Sequence, residues 1–183
     1  MSKSDLKRIL LISAALTLFF CSCFVYLYTK FQRNPDEKKT PLILSSDVVG
    51  RPLPEVNFID SDRKILSSEF LKNERAIIVV LSSRCSPCED ETSFLKTVVA
   101  KDQSIKFYGL LAYSDREDLF TQQDNYPFKL LYDESGNFIK QLEIDRTPIK
   151  IFCDHGVIKR VWVGSTTLDP DKMSFTNWLT STS

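Results

Sequence analysis

The sequence predicts an α/β domain, with a mixed central sheet covered by helices on both faces, preceded by one N-terminal transmembrane helix. Residues 76–81, AIIVVL, form an unbroken apolar run rich in β-branched side chains, the pattern of a strand buried on both faces. From about Val48 onward, such runs alternate with stretches of helical periodicity, which places helices between strands of one sheet. Residues 9–28, ILLISAALTLFFCSCFVYLY, contain no charge, proline or glycine. At about 1.5 Å per residue they reach about 30 Å, the depth of a bilayer's hydrocarbon core.

That apolar segment organises the chain into three parts: an anchor with a short cytoplasmic tail over 1–31, a linker over 32–47 and a folded domain over 48–183. A cleaved signal peptide has a shorter apolar core, and FCSC only loosely matches a lipidation site. The chain after Cys23 continues FVYLY, which is still membrane-like, so an uncleaved anchor is the expectation. Basic residues flank both ends (Lys3, Lys7 and Arg8 before; Lys30, Arg33, Lys38 and Lys39 after), and those closest to the span lean toward a cytoplasmic N-terminus. Cys21 and Cys23 read as small apolar residues of the span. The linker, QRNPDEKKTPLILSSD, is polar with two prolines.

The domain's elements follow in order. EVNFID and RKIL read as an antiparallel pair of short strands joined by DSD, and the serines of SSEFLKN suit the cap of a short helix. After AIIVVL comes a helix running to about Lys101, with Cys88, Leu95, Val98 and Val99 on one side. IKFYGLLAY is a second buried strand, DREDLFTQQ a helix, FKLLYD a strand and ESGN a turn, while FIKQLEI fits either type. PIKIFCD and VIKRVWV alternate around HG as a hairpin. DPDKMSFTNWL closes the chain as a helix with Asp169 capping and Pro170 at the first position. Cys153 shares an alternating face with Ile149 and Ile151 and is expected to be buried and inert.

Charge excludes one class of partner. Lys plus Arg and Asp plus Glu number 24 each, and once the basic N-terminal stretch is set aside the domain is mildly acidic, which argues against nucleic acid. The chemistry lies in LSSRCSPCEDE, residues 81–91. Two thiols at the spacing of Cys85 and Cys88 can close a disulfide, hold half of a metal site or sit in a core. A zinc site needs further ligands, and the sequence has no second C-x-x-C and no histidine cluster, its single histidine, His155, falling in a turn. With Cys85 at the end of the strand-to-helix loop and Pro87 in the helix's first turn, the two sulfurs lie one turn apart on one face. The helix N-terminus and Arg84 favour a Cys85 thiolate, whereas Glu89, Asp90 and Glu91 oppose it. Cys85 is then the exposed nucleophile and Cys88 the buried resolving thiol, working through a mixed disulfide with no cofactor other than the Cys85–Cys88 pair.

Over most of 48–180 the sequence resembles the thioredoxin-like family, and within it the membrane-anchored TlpA/ResA type. GRPLPEVNF, with Gly50, Pro54 and Phe58, resembles the start of that domain. CSPCEDETSFL, with Glu91 and Leu95, resembles its active-site helix, and YPFKLLYDESGNFIKQLEIDRTPIKIFCDHGVI resembles its later half. The resemblance implies a cis peptide at Thr147–Pro148, facing the cysteines. It also implies a bacterial single-pass protein of the cytoplasmic membrane with the domain extracytoplasmic. Its partners would be protein thiols and disulfides and a membrane or extracytoplasmic redox partner. Two positions depart from the pattern. Arg84 replaces the usual tryptophan, and Val79 stands where thioredoxins proper carry a buried acid, leaving Glu91 or a water to take the proton of Cys88. The competing functions are a peroxiredoxin-like peroxidase, which wants Pro and Thr ahead of the cysteine, and a Sco-type copper module, which wants a wider cysteine spacing and a distant histidine.

Overall fold

The computed structural model describes Ser22, 46–99, 105–167 and 172–182. Apart from Ser22, the span expected over 9–28 lies outside the described residues, as do Asp169 and Pro170. No helix among the described residues is long and apolar enough to cross a membrane.

Seven strands form one sheet among the described residues. In chain order they are β1 (Asn57–Asp60), β2 (Ile65–Ser67), β3 (Arg75–Leu81), β4 (Lys106–Leu111), β5 (Lys129–Tyr132), β6 (Ile149–Asp154) and β7 (Val157–Val163). Across the sheet the order is β2-β1-β5-β4-β3-β6-β7. β3, β4 and β5 run parallel, while β1 joins β5, and β6 joins β3, in antiparallel fashion. The α-helices described within the domain are α1 (Ser86–Val99), α2 (Arg116–Gln122), α3 (Asn137–Gln141) and α4 (Lys172–Thr182).

The period-two alternation of β3 divides the interior. Ala76, Ile78 and Val80 face a core that includes Phe138 of α3 together with Ile149, Ile151 and Cys153. Ile77, Val79 and Leu81 face the other core, with Cys88 and Leu95 of α1, Leu119 of α2 and Phe175 and Leu179 of α4. β3 is buried on both faces because helices cover both, which is why its sequence is apolar without alternation.

The local signals fold as their chemistry demands. Ser67 caps a 3-10 helix over Ser68–Asn73, its side chain accepting from the Glu69 N–H. The first four residues of the ambiguous FIKQLEI join α3: the Asp133 carboxylate accepts from the Ser135 and Phe138 N–H groups at 3.0 and 2.7 Å, and Gly136 supplies the left-handed turn at φ 65°. The β6–β7 hairpin turns through His155 and Gly156, both at positive φ, the geometry a tight two-residue turn requires.

Candidate active site

β3 ends at Leu81, and the chain crosses four residues before α1 begins at Ser86, which leaves Cys85 as the residue immediately before the helix. The Cys88 N–H donates to the Cys85 carbonyl at 2.9 Å, closing the first turn and bringing the two side chains to one face. Cys85 and Cys88 form a disulfide with their Cα atoms 5.2 Å apart. Cys88 is 2% exposed, whereas Cys85 is only partly buried, so one sulfur of the pair is accessible and the other is sheltered. Pro87 occupies the second helical position, where a missing N–H costs nothing.

The loop before β6 completes the site. The Thr147–Pro148 peptide is cis, and the Thr147 carbonyl oxygen lies 3.6 Å from the Cys85 Sγ. Residues 62 positions apart thus meet at the sulfur, with an acceptor ready for the Cys85 thiol in the reduced pair. Arg84 is exposed and pairs with Asp115 at 3.0 Å, so its charge beside the sulfur is shared with a carboxylate and screened by water. Glu89 and Asp90 are exposed. A cavity of 270 Å³ opens beside Cys88, lined among others by Ser83, Thr92, Lys96 and Tyr126. Burial, with Asp118 and Glu89 nearby, raises the Tyr126 phenol above its ordinary pKa.

Glu91 is fully buried, one helical turn beyond Cys88 on the same face of α1. Its Oε1 receives the Lys150 ammonium at 3.0 Å and the Thr166 hydroxyl at 2.8 Å, and its Oε2 accepts from the Thr166 N–H. Lys150, itself 1% exposed, also donates to the Gly164 carbonyl at 2.8 Å and to Thr166 Oγ1 at 2.9 Å. Gly164 N–H in turn donates to the Pro148 carbonyl at 2.9 Å. A continuous polar chain therefore runs from the cysteine helix to the proline loop. Both Glu91 oxygens therefore accept hydrogen bonds within this network.

Lys150 and Thr166 are the residues that the sequence pattern does not flag. Lys150 is the cross-strand partner of Val79, the position at which thioredoxins proper carry their acid. In this chain the acid reaches that side of the sheet from the helix, at 91, and a cation meets it from the neighbouring strand. A lysine between the buried isoleucines of PIKIF is the one available signal.

The sheet order, the cysteine pair at the head of α1 and the cis-proline loop define a thioredoxin-like fold. Neither a family model nor a curated protein matches the sequence. Solved structures do match. A protein described as the thiol:disulfide interchange protein DsbE of Chlorobium tepidum superposes with TM-score 0.61 at 14% identity, over 73% of this chain and 96% of that one. The MTB dsbF protein gives 0.58 at 20% identity, over 70% and 96%. A thiol-disulfide isomerase from Corynebacterium glutamicum gives 0.57 at 20% identity, over 72% and 95%. At these identities the likeness establishes the fold.

Proposed function

We propose that this protein is a thiol–disulfide oxidoreductase that exchanges disulfides with protein substrates through Cys85 and Cys88, tethered to a membrane by residues 9–28 with its domain on the extracytoplasmic side. One observation carries the reading: an accessible sulfur, disulfide-bonded to a sheltered one at a helix N-terminus, lies 3.6 Å from the carbonyl that precedes a cis-proline. The solved structures of like fold, named as disulfide interchange and isomerase proteins, support it.

In the reducing direction the Cys85 thiolate attacks one sulfur of a substrate disulfide. A Cys85–substrate disulfide forms and the other substrate sulfur leaves as a thiolate, which takes a proton. Cys88, deprotonated, then attacks the Cys85 sulfur, and the second substrate thiol departs. Two electrons and two protons pass to the substrate and the Cys85–Cys88 bond is restored; oxidation of a substrate dithiol runs the same steps backwards. The helix N-terminus lowers the cost of the Cys85 thiolate at the first step, and burial keeps Cys88 from reacting ahead of its turn.

Trapping tests this. Cys88→Ser removes the release step and is expected to accumulate Cys85-linked mixed disulfides with other proteins, seen as slow-migrating species that collapse on reduction. Cys85→Ser should accumulate few. A Cys88→Ser protein that traps nothing, together with a wild-type pair that neither reduces nor oxidises any small disulfide, sinks the proposal. Sulfenic acid at Cys85 with rapid peroxide consumption would indicate a peroxidase, and stoichiometric copper lost in both variants a metal module.

A further inference from the structure

Tyr113 follows β4 by two residues and sits in the left-handed region at φ 53°, a conformation that costs a bulky side chain and costs glycine nothing. It is nevertheless 59% exposed and contributes to neither core. Core packing therefore does not account for the strain. Its hydroxyl donates to the Ile144 carbonyl, three residues before Thr147. Its neighbours hold the other side of the site. Ser114 Oγ accepts from the Ser83 N–H at 2.9 Å, and Asp115 pairs with Arg84 beside Cys85. Tyr113 thus bridges the two strips of chain that flank the accessible sulfur, with its hydroxyl end tethered and the residue as a whole largely exposed.

The arginines on these two strips are already paired with carboxylates. Arg84 pairs with Asp115 at 3.0 Å, and Arg146 forms a two-bonded pair with Asp145 at 2.9 and 3.0 Å. A rim whose arginines are internally paired offers an acidic segment little, while a rigid, half-tethered aromatic ring offers an apolar side chain a surface at small entropic cost.

We propose that Tyr113 is a specificity-determining contact of the exchange site, its ring receiving an apolar or aromatic side chain adjacent to the target cysteine of the substrate. The inference rests on the exchange activity proposed above and names the class of substrate segment that the site prefers. At this positive φ the side chain stays exposed and reaches the Ile144 carbonyl instead of packing into either core.

Single-turnover exchange tests it, using the reduced full-length chain with three disulfides in excess. These are hydroxyethyl disulfide, a peptide disulfide with leucine and phenylalanine flanking its cysteines, and the same peptide with serine flanks. Tyr113→Gly removes the ring at a position where glycine is relaxed, so the melting temperature should not fall. Its rate on the apolar peptide should drop about tenfold, with little change on hydroxyethyl disulfide or the serine peptide. Tyr113→Phe keeps the ring and should keep the preference. Equal rates of wild type and Tyr113→Gly on the apolar peptide overturn the proposal, as does an equal loss on all three disulfides, which marks a merely structural role. A wild type that fails to react with hydroxyethyl disulfide sinks the exchange activity itself, and this inference with it.

Discussion

Replacing Lys150 by methionine leaves the Glu91 carboxylate, fully buried, facing Thr166 without its cation. Removing one partner of a buried pair costs about 3–5 kcal/mol, because the remaining charge stays out of water without compensation. A domain of about 140 residues shifts its melting temperature by roughly 3 °C per kcal/mol, so Lys150→Met should lower it by about 10–15 °C. Glu91→Leu with Lys150→Met removes both desolvated charges and should recover a large part of that loss. Recovery will be incomplete, because the Thr166 N–H and the Gly164 carbonyl lose their partners, each worth about 1–3 kcal/mol when left buried and unbonded. The assay is urea unfolding of the oxidised protein for wild type, both single variants and the double. A favourable coupling of about 2 kcal/mol or more between the sites is expected. If Lys150→Met lies within about 1 kcal/mol of wild type, or if the two losses simply add, the pair is not the buried electrostatic unit described here.

Burial and packing set three further expectations. Cys153 is fully buried with its sulfur 3.4 Å from the Ala76 carbonyl oxygen, and burial pushes its thiol up to about 12 from the ordinary 9.0. It should resist maleimide in the native state; rapid native labelling would contradict this. Because only the unfolded chain loses that proton between pH 9.0 and about 12, the thiol's contribution to stability is intact below pH 9.0 and is lost as pH rises through that window. Cys153→Val should therefore show a smaller decline in urea midpoint between about pH 8 and about pH 10 than wild type. A Cβ added at Gly109 of β4 would lie 2.6 Å from Phe128 Cε2 and 2.7 Å from Leu130 Cδ2. Gly109→Ala should then cost about 1–3 kcal/mol by overpacking, and an unchanged melting temperature would show that the aromatic ring can yield.

How far the sequence reveals this molecule depends on whether the determining interactions are local. The strand-to-helix junction at the cysteine pair is local in every part: an apolar strand, a short loop, proline in the first turn, and sulfurs one turn apart. The hairpin at His155–Gly156 and the serine cap at Ser67 are local too, although 68–73 winds as a 3-10 helix. FIKQLEI was ambiguous because its cap comes from Asp133, on the far side of the turn. The environment of Lys150 is legible only in its place between two isoleucines. Alternation in PIKIFCD suggests an outward lysine, and outward means solvent only if that face of the sheet is open. Here α1 covers it, and the partner that makes burial possible lies 59 positions earlier, at Glu91.

The same non-locality explains why testing position 79 for an acid gives a misleading answer. Val79 is apolar and fully buried, so by that test the polar support beneath the cysteines is missing. Yet its cross-strand partner is Lys150, which carries the ammonium that binds Glu91 of the cysteine helix. A single carboxylate on β3 would need its own buried proton or counter-charge. A carboxylate on α1 facing a cation on β6 is instead neutralised across two elements, so helix and strand must be correctly docked before either charge is compensated. Thr166 and Gly164 extend that condition to the segment after β7, and the Gly164–Pro148 bond carries it to the loop against Cys85. Disturbing the docking of α1 on β6 therefore disturbs the cysteine pair and the proline loop together.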